Sequence, residues 1–277
     1  ALISRTYNTG YFTVDIRGAW LANSKTVDRS YKANTLTENG TVTEGVVETS
    51  AELKGYSGFS ASNNLTRASD ADWDVLGTGN FSLMGWAKIN SNSAEEYLFG
   101  IQNSGETIRL GMRIGASGEF IFEYDGGSAN GSVGSSPRTN LDDNVWHFFA
   151  MSRTAETNLD CYIDGIRIGG STATVGSFSD SGNLPFYIGV KPADGSSTPA
   201  TNSTISLVRL SATAPTATQI RQMYDAEKGL FVASAECLLQ SGSTDAVLDV
   251  NVDPLTNKVL VTQTDAITVF DGLVVDS

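Results

Sequence analysis

The chain contains one histidine, His147, so any chemistry that needs an imidazole depends on that residue. His147 follows Trp146 and leads into an apolar run, and no G-x-S-x-G nucleophile elbow occurs in the sequence. A Ser-His-Asp or Cys-His mechanism needs the histidine beside a nucleophile, and one histidine cannot build a metal site from several imidazoles. The sequence therefore favours a structural role for His147.

Two acidic residues, Glu123 and Asp125, alternate along a strand-like stretch and therefore share one face of the predicted strand. Some glycosidases arrange three carboxylates as E-x-D-x-x-E, but Ser128 stands where the third acid would be. Two carboxylates can still hydrolyse a glycoside when they flank the scissile bond. A solvent-facing strand end is the favoured interpretation, and hydrolysis remains an alternative.

A third acidic group, Asp70, Asp72 and Asp74, resembles the beginning of a calcium loop in SDADWDVLGTG. The EF-hand pattern fails, because Val75 stands where that loop needs glycine and no glutamate occupies its twelfth position.

Composition indicates the scaffold that must position these groups. The 277 residues include 28 glycines and only 6 prolines, and Ser, Thr and Asn punctuate the chain, as expected of short strands joined by tight turns. The class is predicted to be all-β. A formal net charge of -13 argues against nucleic acid as a partner, because phosphate binding requires clustered Lys and Arg.

Other functional classes are also disfavoured. The two cysteines, Cys161 and Cys237, lie in apolar runs and do not form a disulfide framework, although one bridge between them is possible. No apolar run approaches the length of a membrane span, and the first ten residues lack the pattern of a signal peptide. We therefore expect a soluble protein that does not insert into membranes.

The strands are followed by one helix and a small meander. In CYIDGIRI, Asp164 and Gly165 predict a type I′ hairpin turn. Residues 214–230, APTATQIRQMYDAEKGL, predict a helix of about three turns with Thr216 or Thr218 as cap and Gly229 as its end. Three further strands are predicted near residues 247–252, 259–262 and 267–270. The predicted domains are an N-terminal arm (1–10), a main domain (11–229) and a C-terminal β extension (230–277) for docking or oligomerisation.

Five motifs in order resemble the laminin-G-like domain of the concanavalin A-like lectin/glucanase superfamily. They are GAWLANSKTVDRSYKANTLTENGTV, GFSASNNLTR, LGTGNFSLMGWAKI, NVWHFFAMSRTAETNLDCYIDGIRI and ISLVRLSATAPTATQIRQMYDAEK. The resemblance runs from about residue 11 to residue 228. It implies an all-β jelly-roll sandwich with one short C-terminal helix, followed by the small β meander.

The amino-acid sequences of GFSASNNL, GTGNFSLMGWAKI and the C-terminal segment also resemble those of tailed-phage virion proteins that contain such a domain. This second resemblance implies a tail-fibre, receptor-binding or decoration component on the exterior of a virion, and hence an extracellular location.

The resemblance also implies where ligands would bind. The family normally buries the positions of Trp20 and Trp86, which leaves Trp73 and Tyr124 as candidates for exposed aromatic contacts with a glycan. With the polar residues beside them, the predicted ligand-binding residues are Trp73, Tyr124, Asp125 and Asn130. No cofactor is required, but some relatives bind calcium at loop rims, so the calcium candidates are Asp70, Asp72, Asp142 and Asp143.

The function predicted from these observations is a non-enzymatic virion protein that presents a lectin-like domain to a host-surface glycan or to another virion protein. A homo-oligomer is expected, with a trimer favoured in a tail fibre, because repeated copies raise avidity. Two alternatives remain open: a purely structural capsid or tail protein without a ligand, and a carbohydrate-binding or hydrolytic module of a secreted bacterial protein.

Overall fold

The structure is a computed structural model that describes most of the chain. It describes residues 15–74, 77, 79–90, 94–103, 105–126, 130–135, 140–154, 158–171, 177–178, 183–191, 198–233, 246–256, 258–264, 266–271 and 274–275. The predicted N-terminal arm, residues 1–10, lies outside these ranges. The chain divides into two compact units, residues 1–232 and residues 233–277.

Two antiparallel sheets form the first unit. The strands of the eight-stranded sheet are β1 (Ile16–Trp20), β3 (Thr43–Val46), β4 (Lys54–Ser57), β6 (Phe81–Asn90), β11 (Asp143–Thr154), β12 (Asn158–Ile163), β13 (Ile166–Ser171) and β15 (Ser203–Ser211). They lie in the order β13-β12-β11-β6-β15-β4-β3, and β1 also pairs with β15. The central neighbours β11, β6, β15 and β4 are far apart in sequence, which is typical of a jelly roll.

The seven-stranded sheet lies in the order β10-β9-β8-β7-β14-β5-β2. Its strands are β2 (Thr37–Asn39), β5 (Asn64–Arg67), β7 (Glu96–Gln102), β8 (Ile108–Ile114), β9 (Phe120–Gly126), β10 (Asn130–Gly134) and β14 (Phe186–Ile188). Strand β10 lies inside residues 125–144, a segment whose many Gly, Ser and Asn residues are more typical of a loop. Alternate residues of these strands face the other sheet, as the period of two requires.

The main hydrophobic core lies between the two sheets. It contains most of the large apolar side chains of both inner faces, including Trp20 and Phe186, whose rings stack with centroids 4.4 Å apart. Trp20 is fully buried and Trp86 is 1 % exposed, so the predicted burial of both tryptophans is confirmed. The all-β sandwich predicted from the motifs is also confirmed.

A helix covers the outer face of the eight-stranded sheet. Helices α1 (Ala71–Asp74) and α2 (Ala217–Glu227) are the α-helices of the described residues. The side chain of Thr216 caps α2 in a capping box with Gln219, as one of the two predicted caps. The Trp86 indole donates a hydrogen bond to Glu227 at 2.8 Å, which fastens the end of α2 to the sheet.

The α-helix ends close to the predicted position: its last residue is Glu227 and its C-cap is Lys228, directly before Gly229. Gly229 itself does not take a left-handed conformation; it lies within a 3₁₀ helix, Lys228–Phe231, that continues directly from α2. The continuation brings Phe231 over Trp86, with ring centroids 4.2 Å apart. Burial of that aromatic pair stabilises the extra turn, which local propensity did not reveal.

The hairpin turn between β12 and β13 has the predicted form. Asp164 and Gly165 have φ angles of 52° and 72°, the positive values that a type I′ turn requires. A Cβ on Gly165 would also lie 2.9 Å from Arg221, so glycine is favoured by space as well as by conformation.

The second unit is a small antiparallel sheet. Its strands are β16 (Val247–Val252), β17 (Val259–Gln263), β18 (Ile267–Asp271) and β19 (Val274–Val275), in that order. The three strands predicted for this region are present, and β19 is an addition. No helix in the described part of the chain is long and apolar enough to cross a membrane.

Candidate functional site

A row of residues crosses the outer face of the seven-stranded sheet, the face turned away from the core. Strand register aligns Tyr187 of β14 with Gly100 of β7, then Gly111 of β8, Glu123 of β9 and Ser132 of β10. We call this set the outer-face row. Because neighbours in register point to the same side of a sheet, the row forms a continuous strip on one surface.

Two glycines make room for an aromatic ring at the centre of the row. A Cβ added to either Gly100 or Gly111 would lie 2.8 Å from the Tyr187 hydroxyl oxygen. Tyr187 itself is 1 % exposed, so its ring lies across the strands instead of projecting into solvent. Burial raises the pKa of Tyr187 well above its ordinary value, and the phenol therefore stays protonated.

Glu123 is the centre of a hydrogen-bond network on this face of the sheet. Its Oε1 accepts a hydrogen bond from Nε of Arg113 at 2.9 Å, and its Oε2 accepts one from the Tyr97 hydroxyl at 2.9 Å. Arg113 also pairs with Glu95. Burial and the Glu123 carboxylate raise the pKa of Tyr97. Burial alone would lower the pKa of Arg113, but Glu123 and Glu95 outweigh it and raise that pKa.

Further charged groups surround this network. Lys191 lies 3.0 Å from a carboxylate oxygen of Glu106, and its ammonium is 4.8 Å from the centroid of the Tyr97 ring. Arg109 lies 3.8 Å from Glu106, and its Nε is buried without a hydrogen-bond partner in the described structure. A buried donor in that position needs water or a bound polar ligand as its partner.

Two of the predicted ligand-binding residues flank the row. Asp125 is opposite Arg109 on one side and opposite Asn130 on the other. Asp125 is 9 % exposed and has interactions of its own within the protein, and the side chain of Asn130 lies outside the described structure. Glu123 and Asp125 share one face of β9, as their alternation predicted.

Tyr124 does not have the exposed position that the sequence predicted. It is 8 % exposed and packs in the main core, with Gly131 lying against its ring. The reason is the alternation of the strand: a residue between Glu123 and Asp125 must point to the opposite face, which here is the interior.

The acidic segment near Trp73 is occupied by ion pairs. The backbone of Trp73 lies in α1, but its side chain is outside the described structure. Asp70 pairs with Arg67 at 2.6 Å, and Asp72 pairs with Lys32 at 2.7 Å. Burial alone would raise the pKa of Asp72, but hydrogen bonds from Lys32 and Asn34 lower it.

The other predicted calcium candidates lie at the start of β11. Asp143 lies 3.3 Å from Nε2 of His147, and the other ring nitrogen, Nδ1, lies 2.9 Å from Asp164. Asp142 has interactions within the protein and lies close to Gly118. His147 is 8 % exposed and lies between two carboxylates, with no hydrogen bond or ion pair to a nucleophilic side chain among its described contacts.

The four calcium candidates do not form one ligand set. Among the residues whose placement is described, no group of three or more His, Cys, Asp or Glu side chains could hold a metal ion. Calcium binding therefore stays a prediction without a convergent site in that part of the protein.

Sequence reasoning missed most of the outer-face network. Its residues come from separate parts of the chain, and only the fold brings them together. They are Tyr97 in β7, Arg113 in β8, Tyr187 in β14 and Lys191 in the segment after β14. One local signal was present: Gly100 and Gly111 interrupt two apolar strands, and an isolated glycine in a strand often marks the close approach of another group.

The family to which this fold belongs follows from a comparison with known proteins. A laminin G family model described as the concanavalin A-like lectin/glucanases superfamily matches residues 59–221. The chain belongs to this superfamily. The laminin-G-like resemblance of the motifs is thereby confirmed. No curated protein matches the sequence.

Several solved structures resemble the chain at low sequence identity. The binding domain of Paraclostridial mosquitocidal protein 1 has a TM-score of 0.61 and 10 % identity, over 94 % of this chain and 66 % of that one. A structure of botulinum neurotoxin type C, whose cell entry depends on two ganglioside molecules, has a TM-score of 0.57 and 15 % identity, over 82 % and 53 %.

A third structure is matched over nearly its whole length. Domain 4 of AbnA, an extracellular arabinanase from Geobacillus stearothermophilus solved with arabinotriose, has a TM-score of 0.54 and 14 % identity, over 76 % of this chain and 98 % of that one. By contrast, the chain covers less than two thirds of the length of each of the two toxin chains described above. At these identities the likeness establishes the lectin-like fold alone.

Proposed function

We propose that the chain is a non-enzymatic glycan-binding protein and that the outer face of the seven-stranded sheet is its binding surface. The observation that supports this most strongly is the difference between the two outer faces of the sandwich. Helix α2 and its apolar contacts cover one, whereas charged side chains line the other, including Arg109, Arg113 and Lys191. Sugar hydroxyls need such donors and acceptors, held in fixed positions by a rigid scaffold.

The geometry favours binding over hydrolysis. Both carboxylate oxygens of Glu123 are engaged, one by Arg113 and one by Tyr97. A general acid for glycoside cleavage must reach the glycosidic oxygen with one of its own carboxyl oxygens, and both oxygens of Glu123 are directed at protein donors instead. Glu123 therefore acts in our proposal as an ordered acceptor that fixes Arg113 and Tyr97.

Our proposal places this domain on the exterior of a phage virion, as a tail-fibre, adhesion or decoration component. The resemblance of the sequence motifs to those of tailed-phage virion proteins supports that placement. The C-terminal unit, residues 233–277, would connect copies or attach the domain to other virion proteins. Each glycan contact is weak, and an oligomer would raise the avidity by orders of magnitude through effective concentration.

The binding proposal is tested with a matched pair of arginine variants on a glycan array. Arg109→Ala removes a charged group from the outer face, and Arg221→Ala removes an exposed one from α2 on the opposite side of the sandwich. We expect Arg109→Ala to weaken glycan binding about tenfold or more and Arg221→Ala to leave it unchanged, a difference of about 1.4 kcal/mol in binding free energy. Equal binding by both variants and the unmodified protein would refute the assignment of this face.

The non-enzymatic part has a separate test. The protein is incubated with the polysaccharides it binds, and released reducing ends are measured beside the Glu123→Gln variant. We expect no release by either protein. Release that disappears in Glu123→Gln would establish hydrolysis and overturn the proposal.

The virion part is tested by locating the protein in purified particles by labelled antibodies and mass spectrometry. Absence from particles would refute the placement without affecting the glycan experiment.

A further inference from the structure

An exposed loop between β1 and β2, residues 27–34, is held in one conformation by a buried carboxylate. Oδ1 of Asp28 accepts hydrogen bonds from the backbone amides of Ala19 and Ser30, each at 2.8 Å. Oδ2 accepts from the Ser30 hydroxyl at 2.6 Å and from the Asn34 amide at 2.7 Å. We call residues 27–34 the rim loop. The bond from Ala19 ties the loop to β1, and the other three fix the conformation of the loop itself.

The rim loop presents an aromatic ring to solvent. Tyr31 is 72 % exposed, the largest exposure of any aromatic side chain in the described structure. Its hydroxyl donates a hydrogen bond to Asp15 at 2.6 Å, and the ammonium of Lys32 lies 5.2 Å from the centre of its ring. The hydrogen bond at the hydroxyl and the ammonium over one face of the ring restrict the rotation of the side chain, so binding to the other ring face costs little conformational entropy.

The charges around this ring are balanced. Asp15 pairs with Arg17, and Lys32 lies 2.7 Å from Asp72. Arg17 also lies 3.5 Å from Asp72, so two cations and two carboxylates form one connected group beside Tyr31. The cluster offers hydrogen-bond donors and acceptors, but it presents no unpaired charge to attract an ionic ligand.

From these contacts we infer that the rim loop is a second binding site, in which Tyr31 stacks against the apolar face of a neutral pyranose. A pyranose ring has one face of C–H groups and an edge of hydroxyls. Tyr31 matches the face, and the paired charges of Lys32, Asp72 and Asp15 match the hydroxyl edge. The site includes none of the outer-face residues, so it does not depend on the function proposed for that face.

The inference also explains a residue that the packing of the protein does not require. Tyr31 contributes no ring contact to either hydrophobic cluster, and its described side-chain contacts are those with Asp15 and Lys32. An exposed tyrosine that polar contacts hold at its hydroxyl and over one ring face is typical of a binding anchor, because aromatic residues supply large contact area at low entropic cost.

The test measures binding of the methyl glycosides of glucose, galactose and mannose to the full chain by saturation-transfer NMR and titration. Tyr31→Leu keeps apolar bulk on the loop but removes the flat ring, whereas Tyr31→Phe keeps the ring and removes the bond to Asp15. We expect Tyr31→Leu to weaken binding about tenfold and Tyr31→Phe to weaken it about threefold or less.

Two controls separate the possible results. Val27→Ala shortens another exposed side chain of the same loop and should leave affinity unchanged. Arg221→Ala, on the exposed side of α2, should also leave affinity unchanged. The loss caused by Tyr31→Leu should persist in the Arg109→Ala background, so that failure of one site is distinguishable from failure of the other. Thermal melts check that all variants fold.

Three results would overturn the inference: no detectable binding of any neutral glycoside, equal affinity in Tyr31→Leu and the unmodified protein, or binding restricted to acidic sugars such as glucuronate.

Discussion

Raising the pH should destabilise this protein through one side chain. His147 lies between Asp164, 2.9 Å from Nδ1, and Asp143, 3.3 Å from Nε2. Burial alone would lower the pKa of His147, but the hydrogen bond and charge of Asp164, followed by those of Asp143, outweigh it and raise the pKa above 6.5. The folded protein therefore holds a proton on His147 that the unfolded chain releases at a lower pH.

The sign of the effect follows from linkage. Because the folded pKa is the higher one, the stabilisation from charged His147 is fully present below the unfolded pKa of about 6.5. It is lost as the pH rises through the folded pKa. Between the two values the free energy of unfolding should fall by up to about 1.4 kcal/mol per pH unit, since one group binds at most one additional proton.

The chain offers an unusually direct assay, because it has one histidine. A single imidazole Cε1–H signal in the proton NMR spectrum reports the pKa of His147 without assignment. Urea denaturation between pH 5.5 and 8.5 measures the accompanying stability, and His147→Gln should remove the pH dependence in this window. Asp164→Asn should lower the NMR pKa more than Asp143→Asn, because Asp164 is the closer and more buried partner.

A pKa of 6.5 or less, or stability that rises between pH 6.5 and 8.5, would refute this reasoning. The first result would mean that burial outweighs the two carboxylates, and the second that another group dominates the window.

Three further substitutions test the scaffold by urea denaturation. Arg153→Met should cost about 3 kcal/mol, because the buried guanidinium donates to the carbonyl of Gly79 at 2.9 and 2.7 Å and to the carbonyl of Gly77 at 2.7 Å, and both acceptors would lose their partner. Glu96→Ala should cost a similar amount, since Asn202 and its neighbours would lose a buried acceptor, whereas Glu96→Gln should cost less. Thr216→Ala should cost about 1 kcal/mol by removing the helix cap, with Thr218→Ala as the nearly neutral control.

Much of the scaffold could be predicted from local sequence, because its signals are local. The Asp164-Gly165 turn needs only positive φ at two positions, and the Thr216 cap needs only a hydroxyl before a periodic run. The 3₁₀ turn that follows α2 could not be predicted in this way. Stacking of Phe231 on Trp86, which is distant in sequence, stabilises that turn.

The candidate site was only partly predictable. Alternation alone placed Glu123 and Asp125 on one face, and the same rule would have turned Tyr124 to the interior had it been applied there. Arg113 and Lys191 could not be found, because their positions relative to Glu123 and Tyr97 depend on the pairing of the strands and on a segment far away in sequence. Tyr31 was missed because exposure is a property of the folded surface and has no local pattern.

The four hydrogen bonds of Asp28 have a consequence for how this protein can diversify. The path of the rim loop is encoded by Asp28, Ser30 and Asn34, whereas Tyr31 and Lys32 contribute their side chains to its surface. Substitutions at positions 31 and 32 can therefore alter what the loop recognises while its backbone stays in place. Natural selection or protein engineering can therefore vary a short segment whose backbone conformation stays fixed, much as antibody loops vary on a constant β-sandwich.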